Sequence, residues 1–326
     1  MPSRTRKNTW LRQFTWFGIP AVAAALFGFW LYGPMIRAPG EGPHSRSLVT
    51  SRESLYNNIY VYSHGPYLSM TFGYNRKIYT ESMYNTQDES ELPVTYTRYM
   101  TAPLMYAKDV ASILEIGFGG GRTAWYLHRF LPDVPVTSVE LDPAVVEISR
   151  QYFGIRDEPK FNVVTRDGRS YLADTKNRYD IILVDAYRGP FVPFHLLTKE
   201  FYEIVKAHLN EGGVVAQNVE PTTMLFDSAV ATIRSVFPNT DFYVSNGNVV
   251  MIAYDGAPRS KDELSHMAAG RQQEFGLRYT LPAMLAERKV FVPGMIDGAA
   301  KILTDDFAPV EMLKAIETHN RKWIDQ

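Results

Sequence analysis

An apolar run, Ile181-Ile182-Leu183-Val184, ends abruptly in Asp185. A carboxylate at the end of a core strand costs desolvation unless chemistry, a ligand or a turn makes use of it. Three residues on stands Arg188, a cation where a second acid would have completed a carboxylate pair. Upstream, Ile113-Leu114-Glu115-Ile116 runs into Gly117-Phe118-Gly119-Gly120-Gly121 and then a helical pattern. Glycines at such a turn let a ligand come close to the backbone, and the helix start offers free N–H groups. A dinucleotide fingerprint requires G-x-G-x-x-G. Its last position here is Arg122, so that pattern fails. Glu140 closes the run Val136-Thr137-Ser138-Val139, and Asp167-Gly168 follow a third run beginning at Phe161. A carboxylate can accept two hydroxyls at once. Each piece alone reads as a turn or a helix cap. Together, in this order, they point to a ligand at the carboxyl edge of an open α/β sheet.

Positioning these groups requires alternating strands and helices. Strands are predicted at 113–116, 136–139, 161–164, 181–184 and 214–216, with helices at 122–131, 143–153 and 198–208. That alternation means a parallel, doubly wound sheet. Residues 241–244 and 249–253 suggest a terminal hairpin, and 260–290 and 308–323 read as helices. Residues 53–83 alternate polar and apolar between Gly and Pro turns, which predicts short antiparallel strands. Residues 95–110 look helical. Seven tyrosines between Tyr56 and Tyr84 fit strand packing.

The N-terminus differs from the rest. Arg4, Arg6, Lys7 and Arg12 precede a charge-free run from Gln13 to Ile36, rich in Phe, Trp, Leu, Ala and Gly. About 20 apolar residues span a bilayer as a helix. Trp16, Trp30 and Tyr32 fall towards the ends, where interfacial aromatics sit. The far end, Trp30-Leu31-Tyr32-Gly33-Pro34, is a poor cleavage site, which argues for a retained anchor over a signal peptide. The expected organisation is a basic tip and transmembrane anchor at 1–36, a linker at 37–50 and a β-strand domain at 51–100. A Rossmann-like catalytic domain at 101–256 and a helical segment at 257–326 follow. The 34 basic and 35 acidic residues nearly cancel, so no global field draws nucleic acid. There is no cysteine, and the histidines lack metal-ligand spacing, so no metal is expected.

The Gly117-x-Gly119-x-Gly121 loop, Glu140 and Asp167 resemble the S-adenosylmethionine-binding class I methyltransferase-like fold. From about residue 53 to 220 the chain more closely resembles the spermidine synthases, the polyamine aminopropyltransferases. The segments that carry the likeness are "ESLYNNIYV", "YTRYMTAPLM", "VELDPAVVEISRQYF" and "LLTKEFYEIVKAHLNEGGVVAQN". The C-terminal "ILTDDFAPVE" resembles a motif of membrane-associated spermidine synthase-like proteins. The resemblance implies that Asn57, Gly117, Gly119, Gly121, Glu140, Asp167 and Gly168 hold the adenosine substrate. Glu140 would take the ribose hydroxyls and Asp167 the adenine amino group. Asp185 would accept the proton of an attacking amine, and Tyr187 would help to hold that amine.

Departures from the family pattern fall on the cation-reading groups. The second loop acid is Arg188, the glycine-loop acid that grips the aminopropyl ammonium is Gly120, and the Tyr-His-Glu stretch reads Tyr96-Thr97-Arg98. The family's opening glutamine is Asn57. Either Asp305, Asp306 or Glu311 folds back to replace the lost acids, or Arg122 or Arg188 pairs with a substrate carboxylate. His195, between Phe194 and Leu196, is expected to be a packed core residue.

The expected function is therefore aminopropyl transfer from decarboxylated S-adenosylmethionine to an amine such as putrescine. The alternatives are methyl transfer from S-adenosylmethionine and a non-catalytic, cofactor-binding membrane protein. The resemblance also implies a homodimer. The expected location is the inner membrane, with a cytoplasmic body.

Overall fold

The computed structural model describes residues 46–74, 77–189, 191–245 and 247–307; of Tyr74 and residues 77–79 it describes only the backbone. The predicted anchor at 1–36, most of the linker and the helix at 308–323 lie outside the described residues. Among the described residues no helix is long and apolar enough to cross a membrane.

Four antiparallel strands open the chain: β1 (Ser47–Glu53), β2 (Asn58–His64), β3 (Tyr67–Tyr74) and β4 (Lys77–Asn85), paired in sequence order. β1 overlaps the end of the predicted linker. As an edge strand it is exposed on both faces, so it carries no polar–apolar alternation to betray it. Ile59, Val61, Met70 and Phe72 line the sheet's buried face.

A short helix, α1 (Thr95–Tyr99), leads to a 3-10 turn at Ala102–Met105. The continuous helix predicted over 95–110 breaks here because Pro103 brings no N–H to continue it.

The second sheet begins with β5 (Ile113–Ile116), α2 (Arg122–Phe130), β6 (Val136–Glu140), α3 (Pro143–Tyr152) and β7 (Phe161–Thr165). Next come α4 (Gly168–Asp174), β8 (Tyr179–Val184), α5 (Lys199–Ala207), β9 (Leu209–Val219) and α6 (Phe226–Val236). The hairpin β10 (Asn239–Ser245) and β11 (Asn248–Tyr254), then α7 (Lys261–Phe275), α8 (Leu281–Leu285) and β12 (Lys289–Val290), complete it. The helix predicted over 260–290 stops early. Gly276, at φ 60°, caps α7 in the left-handed region, and β12 pairs antiparallel with β10.

Strand order is β12-β10-β11-β9-β8-β5-β6-β7. The five strands from β9 to β7 are parallel, and the hairpin joins β9 antiparallel, so the sheet is mixed. Alternate residues feed two cores. Ile113, Ile181, Leu183, Val214 and Ala216 pack on one face. Leu114, Ile116, Ile182, Val184 and Val215 pack on the other. A strand buried on both faces reads as a continuous apolar run, which is why β8 was legible. Chain order reverses at β5, between β6 and β8. Crevices at such reversals, beyond the carboxyl ends of the strands, are where ligands bind in open sheets.

Candidate active site

β5 delivers the glycine loop to this crevice. The Asp185 N–H donates to the Ile116 carbonyl at 2.8 Å, so the β5–β8 pairing continues one residue past the strands. Gly117 sits at φ 94°, and a Cβ there would lie 2.4 Å from the Asp185 carbonyl oxygen. Only glycine allows the two loops this contact. Gly121, at φ 70°, caps α2, and its Cβ would meet the Phe118 ring at 2.4 Å. Gly119, at φ 51°, faces open space. The loop therefore presents bare backbone to the crevice.

Glu140, at the tip of β6, accepts from the Phe118 and Gly119 N–H groups at 3.0 and 3.1 Å and from the Asp142 N–H at 3.0 Å. Burial raises its pKa. Asp142 caps α3 through the Ala144 N–H and also accepts from the Asn57 amide (3.2 Å) and the Ser54 hydroxyl. Asn57 therefore ties the β1–β2 turn to the tip of β6. Beside it, Glu53 to Asn58, Gly73, Arg188 and Gly189 line one cleft.

Asp167 caps α4. One oxygen accepts from the Ser170 N–H at 2.8 Å, and the other meets His195 Nε2 at 2.9 Å. The His195 contact, above all, holds its carboxyl well below the usual range. His195 is not the packed core residue expected: its side chain is 45% exposed. The chain leaves the core after Val192 and returns at Leu196, so the ring between them reaches outward to the acid. A Cβ on Gly168 would strike Ile116 Cγ2 at 2.3 Å, so glycine lets α4 start directly against β5.

Asp185, at the tip of β8, accepts from the Asn218 amide at 2.8 Å and from the Tyr96 hydroxyl at 3.1 Å. The Asn248 amide in turn donates to Asn218 Oδ1 at 3.1 Å. Burial pushes the Asp185 pKa up to about 6, against the opposing pull of these two donors. The Tyr187 hydroxyl is buried close to Asp185, where burial and that charge raise its pKa. A further acid from β4, Glu81, lies within electrostatic reach of both Asp185 and Glu140. Beneath the loop, burial pushes Glu115 up to about 8, although it accepts from the Ser138 hydroxyl at 2.6 Å.

The structure thus brings Gly117, Gly119, Gly121, Glu140, Asp167, Gly168, Asp185 and Tyr187 to strand ends on one edge of the sheet, with Asn57 behind Glu140. Asp305 is engaged elsewhere. It forms a two-pronged pair with Arg169, which also donates to the His195 carbonyl and the Thr198 hydroxyl. Asp306 is exposed on the next residue, and Glu311 lies outside the described residues. Arg122 is not free to meet a substrate carboxylate. It is buried, donates to the Phe153 and Glu89 carbonyls, and stacks on Tyr84. A cation this well supplied with carbonyls serves packing. Thr97 bonds the Val94 carbonyl, and Arg98 bonds the Leu92 carbonyl and stacks on Tyr279. Sequence reasoning did not single out Glu81 or the Tyr96–Asp185 contact. The tyrosine stood in a recognisable stretch; the glutamate had no local signal.

This mixed sheet, with a glycine loop and acids at its parallel strand ends, is an S-adenosylmethionine-dependent methyltransferase-like fold. A probable spermidine synthase from Corynebacterium glutamicum shares it with a TM-score of 0.63 at 19% identity, over 80% of this chain and 97% of that one. A spermidine synthase solved in complex with the transition state analogue AdoDATO does so with a TM-score of 0.58 at 23% identity, over 74% and 82%. Residues 94–248 match the spermine/spermidine synthase domain. A polyamine aminopropyltransferase of Vibrio vulnificus is 31% identical over 283 residues, 82% of this chain and 92% of that protein. The chain belongs to the spermidine synthase, or polyamine aminopropyltransferase, family, a family of transferases.

Proposed function

We propose that the chain moves an aminopropyl group from decarboxylated S-adenosylmethionine to a small amine such as putrescine, with Asp185 as the base. The observation that carries this reading is Asp185 itself. It is a half-buried carboxylate with a pKa near 6, at the strand tip that touches the glycine loop. The open space over Gly119 suits a substrate lying along the loop backbone. Glu140 is the group to take the ribose hydroxyls, and Asp167, just past the end of the next strand, is the group to meet the adenine. Gly117, Gly121 and Gly168 shape the floor.

An acceptor ammonium cannot attack, because its lone pair holds a proton. Asp185 takes that proton, and Tyr187 and Tyr96 offer hydroxyls to the freed nitrogen or its partner acid. The nitrogen then forms a bond to the methylene carbon next to the sulfonium. The carbon–sulfur bond breaks with its electron pair going to sulfur, leaving neutral methylthioadenosine. The proton on Asp185 passes to solvent. A base with a pKa near 6 is ionised at neutral pH and still able to accept.

The test is product formation by the full chain given decarboxylated S-adenosylmethionine and putrescine. Methylthioadenosine and a lengthened amine are expected in equal amounts. Their absence, with a methylated amine from S-adenosylmethionine instead, would sink the reading.

The charge-free run from Gln13 to Ile36 supports a membrane-anchored form. A body in the cytoplasm is proposed because a nucleotide-like substrate is made there, although Arg4, Arg6, Lys7 and Arg12 before the run favour the other orientation. After cell lysis the full chain is expected in the membrane fraction, resistant to high salt and alkaline wash. Recovery in the supernatant would remove the anchor.

A further inference from the structure

The glycine loop carries no acid, and at Gly120 its geometry forbids one. A Cβ on Gly120 would lie 2.3 Å from Ser82 Oγ and 2.9 Å from the Phe153 ring. Ser82, in β4, has taken that space. Its neighbour in the same strand is Glu81. Oε1 of Glu81 is sealed from solvent and has no hydrogen-bond partner. An unpaired buried carboxylate oxygen is costly, and few survive in folded proteins without a use. Its surroundings make it costlier. Burial first, then the charges of Asp185 and Glu140, push its pKa well above the usual carboxylate range, and it acts in turn on Tyr96 and Tyr187. Among these groups there is no cation. The group that relieves such a site is a positively charged ligand.

Location decides which cation. Its neighbour Ser82 lies against Gly120 of the glycine loop, and the charges of Asp185, the proposed point of transfer, and Glu140, the proposed ribose end, both raise the Glu81 pKa, so Glu81 stands beside that loop. A charge felt by both stands beside the sulfonium substrate's arm. The arm of the decarboxylated substrate ends in an ammonium alone. The arm of intact S-adenosylmethionine also carries a carboxylate, which three clustered acids repel.

We propose that Glu81 is the specificity-determining residue for the sulfonium substrate. It holds the ammonium of the aminopropyl arm, in place of the acid absent at Gly120, and turns away the carboxylated form. The proposal rests on the aminopropyl-transfer reading above and names how that site selects its donor. The negative charge has moved from the glycine loop to the N-terminal sheet, so that sheet becomes part of the donor pocket.

Calorimetry on the full chain tests this with three ligands: decarboxylated S-adenosylmethionine, S-adenosylmethionine and methylthioadenosine. The last shares the adenosine and lacks the ammonium. Glu81→Gln keeps the shape and removes the charge. It is expected to weaken the decarboxylated ligand about 30-fold, the worth of one charged hydrogen bond. Methylthioadenosine should weaken less than about threefold, and the preference over the carboxylated form should narrow. Glu81→Asp, which keeps the charge, should retain most of the preference and guards against a folding defect in the first variant. Equal weakening of all three ligands would make Glu81 a structural residue and overturn the proposal. So would an unchanged affinity for the decarboxylated form. If the unaltered chain itself shows no preference for the decarboxylated form, the aminopropyl-transfer reading falls first, and the proposal with it.

Discussion

Asp185→Asn should cost about a thousandfold in kcat, the usual range for losing a positioned base, while making the protein more stable at pH 8. Both effects come from one cause. The folded-state pKa of Asp185 is raised from 3.8 to about 6 by burial. A raised pKa means the protonated form is the one the fold prefers. Its contribution to stability is fully present below about pH 4 and is lost as pH rises through about 6. Above that, the native protein carries a buried charge that the asparagine variant does not. The gain is on the order of 1–3 kcal/mol, taking about two pKa units and allowing for partial solvent access. Chemical denaturation at pH 5 and pH 8 reads it: the difference between variant and parent should be larger at pH 8. In the parent, kcat/KM should rise with pH and level off above about 6. A variant that is inactive but no more stable at pH 8 would mean that the carboxylate is not the buried, strained group described.

Gly117→Ala should be the most damaging single-methyl change in the site. The added Cβ would lie 2.4 Å from the Asp185 carbonyl oxygen and 2.7 Å from the Ala186 Cα, both backbone atoms that cannot rotate away. The position also holds φ 94°, where an L side chain is strained whatever the space. Strain and overpacking together should cost about 3 kcal/mol or more of stability. Relaxing the clash moves the Asp185 loop off the glycine loop, so activity should fall by about a hundredfold as the base is displaced. Gly119→Ala is the control. It shares a positive φ (51°) but meets open space, so its stability loss should be the smaller. Equal losses would mean that the loop contact is not what glycine protects.

Local motifs were legible. The strand–glycine–helix run at 113–130, Glu140 at the end of its strand and Asp185 after an apolar run all announce themselves within a few residues. Features that depend on distant partners were not. Glu81 gains its meaning from Asp185 and Glu140, and Gly120 from Ser82, and no window of sequence holds both members. Arg122 looked available for an anion because nothing nearby shows that the Phe153 and Glu89 carbonyls claim it. Asp305 looked free to reach the cation pocket because Arg169 lies far up the chain. The edge strand at Ser47–Glu53 had no buried face to impose a period. The helices at Gly168–Asp174 and Phe226–Val236 passed unnoticed beside stronger strand signals.

The Asp185 cluster also has a kinetic consequence. Its hydrogen-bond partner Tyr96 lies 89 residues away, and Asn218 lies 33 residues away on another strand. No nearby residue along the chain holds this carboxylate, so its surroundings form only as long loops close, a slow step in chain assembly. By then Glu81, Glu140 and Asp185 are losing their water, and burial is the main cause of the raised pKa of each. The apolar cores on both faces of the sheet must supply that work. The crevice around Asp185 is therefore expected to complete only after the strands that carry it have paired.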